Sequence, residues 1–125
     1  MLENTRARYS TDEVYTFIGD VLVAVNPFAP LPIYGAEVMV SFVGSELGTV
    51  RPHVFAMGEA AFVRVRAGCS TALVMSGESG SGKTETTKHL LAYIAWRSER
   101  LNNDNAANSC LAGATLRGSE SPLRL

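Results

Sequence analysis

Cysteine is almost absent from this chain. Cys69 and Cys110 have no CxxC spacing and are too few for a disulfide framework, so they read as free thiols of a reducing compartment, by default the cytosol. Long apolar runs are missing as well. The longest, such as residues 21–25, fall far short of the ~20 residues that a membrane-spanning helix needs. Glu3, Arg6 and Arg8 interrupt the N-terminal stretch before the apolar centre of a signal peptide could form. Charge of one sign is lacking too: 11 basic against 12 acidic residues leave a net charge of −1. That balance gives no electrostatic footprint for nucleic acid or an anionic membrane surface. No internal repeat is visible. At 46% hydrophobic and 18% charged residues, the 125-residue chain has the composition of one globular domain, not of a disordered segment.

Against this background one stretch stands out, LVMSGESGSGKTE at residues 73–85. Gly77, Gly82, Lys83 and Thr84 satisfy G-x-x-x-x-G-K-[ST], the phosphate-binding loop. An apolar run (Ala72, Leu73, Val74, Met75) leads in and a helix-patterned segment, 83–96, leads out. Strand, glycine loop and helix is the context this motif requires. Glycines at 77, 80 and 82 permit backbone angles that a Cβ would forbid. The loop's N–H groups can therefore converge on an anion at the positive end of the following helix. Lys83 adds a full charge near the β and γ phosphates, and the Thr84 hydroxyl is placed to ligate Mg²⁺. The competing structural reading, a glycine-rich turn before a helix, does not account for the flanking elements. The motif points to a nucleoside triphosphate.

The rest of the chain supplies a setting. Residues 2–9 read as the end of a charged helix with little core of its own. Residues 14–18 and 21–25 read as strands joined by a tight Gly19-Asp20 hairpin, the second apolar on both faces as in a buried sheet. Three prolines make NPFAPLPIY, from Asn26, a stiff loop. A short helix is expected over 36–42, ending at Gly44. A longer one follows Pro52, with Val54, Met57, Ala61 and Val65 inward and Glu59, Arg64 and Arg66 elsewhere on the wheel. A strand over 71–76 then precedes the loop. The loop's helix should turn Leu90, Leu91, Ile94 and Ala95 to one face, with Glu85, Lys88 and Glu99 away from it. This order favours an α/β nucleotide-binding sheet with flanking helices. Residues 102–125 show no apolar period and read as a flexible tail. His53 is expected as a hydrogen-bonding helix start, His89 as solvated, and Tyr93 and Trp96 as packing residues.

Three segments in this order, YTFIGDVLVAVNPFAPLPIYG, RPHVFAMGEAAF and LVMSGESGSGKTETTKHLLAYIA, resemble the myosin motor head. The resemblance runs from about Leu2 to Ile94 and joins three motifs instead of resting on one loop. It implies a P-loop NTPase-type sheet and a Mg²⁺-dependent ATPase accelerated by actin filaments, in the cytoplasm and on the cytoskeleton. It further implies that Asn26, Pro27 and Tyr34 contact or enclose the adenine. Gly77, Glu78, Ser79, Gly80, Ser81, Gly82, Lys83 and Thr84 would hold the phosphates, with Glu85 supporting them from behind. Ala29 stands where many myosins carry a basic residue, and Arg51-Pro52 where Pro-Pro is common.

The family's two switch patterns, N-x-x-S-S-R and D-x-x-G-F-E, occur nowhere in these 125 residues. Hydrolysis needs groups that fix the attacking water and complete the Mg²⁺ shell. The expectation is therefore an incomplete motor-head piece: residues 1–101 bind ATP without hydrolysing it, and 102–125 lie where the family's variable loop 1 falls or are unrelated to it. Two rivals remain. A small P-loop kinase would normally carry its loop near the N-terminus and a further Mg²⁺-binding acid after a buried strand. Here 76 residues precede Gly77, and the later acids are Glu85, Glu99, Asp104 and Glu120. A chain that does not fold stably by itself, with sheet edges and apolar faces uncovered, is the other.

Overall fold

The computed structural model describes residues 2–120, with side chains through residue 109. In chain order the elements are α1 (Leu2–Ser10), β1 (Tyr15–Ile18), β2 (Val21–Ala24), α2 (Ala36–Ser41), α3 (Val54–Arg66) and α4 (Lys83–Glu120). The chain divides into two units, one through Ile94 and one from Ala95.

In the first unit α1 buries none of its residues, as its charge pattern suggests. Arg8 ties it to the hairpin, with Nε donating to the Tyr15 carbonyl at 3.1 Å and a 3.5 Å ion pair to Glu13. β1 and β2 pair antiparallel, with Tyr15 opposite Ala24 and Ile18 opposite Val21. Gly19, at φ +56°, makes the two-residue turn possible, because a side chain is disfavoured there.

The expected α/β sheet is not formed among the described residues: the sheet has two strands, and residues 71–76 pair with nothing. A strand exists only through a partner's ladder. Here the hairpin and the segment before the glycine loop border a common groove of about 480 Å³ instead of sharing hydrogen bonds. β2 is consequently not the buried central strand its composition suggested, and Val21 is 60% exposed.

α3 starts where Pro52-His53 predicts and carries an aromatic core. Its end is set by Gly68 at φ +85°, whose N–H bonds the Val65 carbonyl while Cys69 N–H bonds that of Arg64. The buried face is rotated from expectation, with Val54, Phe55, Ala56, Gly58, Glu59, Ala61 and Phe62 inside and Val65 outside. The reason is α4. Tyr93 lies against Gly58, where an added Cβ would come within 2.8 Å of the ring, and stacks on Phe55 at 5.0 Å.

Glu59, expected on the outer side of the wheel, is fully buried. Its carboxylate is satisfied there, accepting from Gly44 N–H at 2.9 Å and from the Tyr93 hydroxyl at 2.8 Å. A hydrogen bond at each oxygen is what burial of such a group demands. On α4, Leu90 and Tyr93 face inward, whereas Leu91 is 59% exposed, so the expected Leu91 and Ala95 stripe is a register away from the real one.

In the second unit helix continues over residues that composition suggested would be irregular, to Glu120. Lengthening an existing helix gains a hydrogen bond per residue without a new nucleus, and Ala106 and Ala107 favour it. Residues 102–109 are all exposed. The Arg100 guanidinium lies 5.5 Å from the Trp96 ring centroid. The Cys110 side chain and residues 121–125, part of the expected tail, lie outside the described residues. No helix among those described is long and apolar enough to cross a membrane.

Candidate functional site

Asn26 joins the two loops that the sequence marks. Its side-chain amide donates to the Gly80 carbonyl at 3.0 Å, across 54 residues, while its oxygen accepts Phe28 N–H at 2.9 Å. The second bond steadies Phe28 at φ +52°, a backbone conformation that a bulky residue rarely adopts. The glycine loop answers to the same contact. Gly80 and Gly82 sit at φ +80° and +95°, and the Asn26 side chain lies 3.7 Å from where a Gly82 Cβ would stand. At Gly77 a Cβ would meet Ser81 Oγ at 2.5 Å, so a side chain there would require the Ser81 hydroxyl to turn away. Lys83 folds back to donate to the Gly77 carbonyl, which keeps its ammonium inside the loop. Thr86 N–H bonds the Gly82 carbonyl at 2.9 Å and so starts α4 at the loop's edge.

Two adjoining recesses result. The larger, about 640 Å³, is lined by Val14, Tyr15, Asn26, Pro27, Ala29 and Tyr34 together with Ser81, Gly82, Glu85, Thr86 and His89. That is within the usual range for a small-molecule site. The smaller, about 390 Å³, is lined by Asn26, Glu78, Ser79, Gly80, Gly82, Lys83, Thr84 and Glu85. Eleven of the twelve residues singled out from sequence border one recess or the other. The twelfth, Gly77, holds Lys83.

Tyr34 is fixed on several sides. Its ring stacks on His89 with centroids 3.5 Å apart and planes within 3°. It meets Phe55 edge-on at 6.0 Å and His53 at 5.5 Å, and its hydroxyl pairs with that of Tyr15 at 2.8 Å. Burial raises the pKa of both phenols, so both stay neutral. His53 caps α3: Nδ1 accepts Phe55 N–H at 3.0 Å and Nε2 donates to the Ile33 carbonyl at 2.9 Å. Burial lowers its pKa to about 4, which agrees with a neutral ring. The expected role of His53 is thus the observed one, and it anchors the end of the proline loop.

His89 differs from expectation. It is half-buried in the cavity wall instead of solvated, and desolvation lowers its pKa. The signal was present in the spacing, since His89 is i+4 from Glu85 and so shares its helix face. Glu85 itself is exposed; the Lys88 ammonium, donating to it at 2.8 Å, holds its carboxyl below the ordinary range.

A glycine loop that carries a lysine at a helix start, beside a recess walled by neutral aromatic rings, suits a ligand with an anionic end and a flat end. Comparison with known proteins identifies the family. Residues 1–114 match the family profile described as Myosin head (motor domain), which extends beyond Ile94, where the motif resemblance ends. The chain is 44% identical to Myosin-J heavy chain of Dictyostelium discoideum over 110 residues, 87% of this chain and 5% of that protein. It is 46% identical to Myosin-9 and 47% identical to Myosin-5 of Arabidopsis thaliana, each over 98 residues, 77% of this chain and 6% of theirs. It therefore spans about a twentieth of the length of these relatives. The chain belongs to the myosin head (motor domain) family.

Proposed function

We propose that this chain is the ATP-binding segment of an actin-based cytoskeletal motor of the cytoplasm. The adenine sits in the larger recess against Asn26, Pro27 and Tyr34, and the triphosphate in the smaller one on residues 77–84. The observation that carries this reading is the Asn26–Gly80 bond, which locks the proline loop to the glycine loop so that the two recesses adjoin. Lys83 exchanges the Gly77 carbonyl for phosphate oxygens. Thr84, exposed at the first turn of α4, offers its hydroxyl to Mg²⁺, which when bound would neutralise phosphate charge. Glu85, ionised beside Lys88, supports the loop from the helix.

Binding and turnover are separate capacities. The residues around the loop hold and orient a triphosphate, but within this chain we assign none of them to fixing a water in line with the γ-phosphate. Actin filaments are partners of the whole motor in this reading.

The test is a titration of the full chain with Mg²⁺-ATP and with Mg²⁺-tripolyphosphate, on the wild type and on Tyr34→Ala. The substitution should weaken ATP and spare tripolyphosphate, because only ATP has a base to enclose. The same samples, incubated with and without filamentous actin, should release phosphate at the background rate. Equal weakening of both ligands would reduce Tyr34 to a role in folding, and actin-stimulated release would contradict the separation of binding from turnover.

A further inference from the structure

Among the ring contacts described for Tyr34, the stack on His89 is the one that comes from the helix that the phosphate loop begins. Thr84 and His89 are five residues apart on that helix, so the phosphate end and the base end of the site are coupled through a rigid span. The parallel rings, 3.5 Å apart, cover one face of Tyr34, while Tyr15 holds its tip and the inclined rings of Phe55 and His53 lie 6.0 and 5.5 Å away. We propose that His89 is a positioning residue for the base: its ring holds Tyr34 as the wall that receives the adenine, and it sets affinity for the base without touching the phosphates.

The inference rests on the ATP-binding reading above and adds a residue to it. The groups facing His89 are Glu85 and Lys88 on its own helix, Tyr34 on the proline loop and His53 at the start of α3. The neutral state favoured for the imidazole suits a flat stack between two uncharged rings. A planar ring is then the property that matters, and a hydrogen bond from His89 is not required.

The experiment uses the full chain as wild type, His89→Ala and His89→Phe. Mg²⁺-ATP and Mg²⁺-tripolyphosphate are titrated into each, with far-UV circular dichroism as the check on folding. His89→Ala should weaken ATP by about 3- to 10-fold, the size of one aromatic pair, and leave tripolyphosphate unchanged. His89→Phe, which keeps a flat ring, should restore ATP. Equal loss for both ligands, no loss for either, tighter ATP binding by His89→Ala, or no rescue by His89→Phe would each overturn the proposal. A wild type that binds ATP no better than tripolyphosphate would overturn the base-binding reading as well. A wild type with that preference, kept intact in His89→Ala, would overturn only the role of His89.

Discussion

His53 shows how one side chain connects chain order to the site. Its two ring nitrogens hold the start of α3 and the carbonyl of Ile33, one residue before Tyr34, so the helix cap also anchors the proline loop. The arrangement requires one neutral tautomer, and burial lowers the pKa from the ordinary 6.5 to about 4. A depressed folded-state value means that the unfolded chain binds the proton first. The stability is present above pH 6.5, falls as pH drops through the window down to about 4, and changes no further below it. The loss is on the order of 3 kcal/mol. Denaturant unfolding followed from about pH 7.5 to about pH 4.5 should show this slope in the wild type and a flatter one in His53→Gln. Parallel profiles would mean that His53 does not titrate with folding. The role of His53 was legible because Pro52-His53 precedes an apolar helix. That of Glu59 was not: a carboxylate is buried only when donors from elsewhere reach it, and Gly44 and Tyr93 lie 15 and 34 residues away.

Among the elements, the contact of α3 with α4 decides how the glycine loop is carried. Gly58 is the point of closest approach: a methyl added there would lie 2.8 Å from Tyr93 Cδ1 and 3.3 Å from Leu90 Cδ1. Two effects of Gly58→Ala oppose each other. Helix propensity favours Ala by ~1 kcal/mol, and overpacking a fixed core costs ~1–3 kcal/mol. Tyr93 is fully buried and bonded to Glu59, so it cannot move aside, and the clash should prevail. Net destabilisation of up to ~2 kcal/mol is expected in chemical denaturation, and a stabilised variant would show that the helices separate easily. The starts of α3 and α4 were readable from Pro52-His53 and from the glycine loop, whereas the continuation of α4 past residue 101 was not. Nor were the inward faces of the helices, because periodicity locates a stripe only to within a neighbouring residue. Val65 and Leu91, apolar but exposed, drew the expected stripes off the buried faces, although Tyr93 packs as expected. The hairpin was legible from Gly19-Asp20, a local signal. The strand at 71–76 was not realised, since it needs neighbours that no local pattern supplies.

At the scale of the whole molecule, the site is better defined than the sheet expected beneath it. The groove of about 480 Å³ is bordered by Val21, Leu22, Met57, Leu73 and Leu90, and Val74 is 87% exposed beside it. The glycine loop is nevertheless held by its own glycines, by Asn26 and by α4. This is why the loop's shape follows from its own sequence: it is fixed by chemistry local to the loop and by one bond to a second motif. The central claim is that this loop binds the triphosphate of ATP, and Lys83 bears most of its charge. Equilibrium titration of the full chain with a fluorescent ATP analogue and Mg²⁺, comparing wild type with Lys83→Ala, tests it most directly. Loss of a charge-assisted contact of ~1.5–3 kcal/mol should weaken binding by about 10- to 150-fold. Equal affinity of the two proteins would contradict the account.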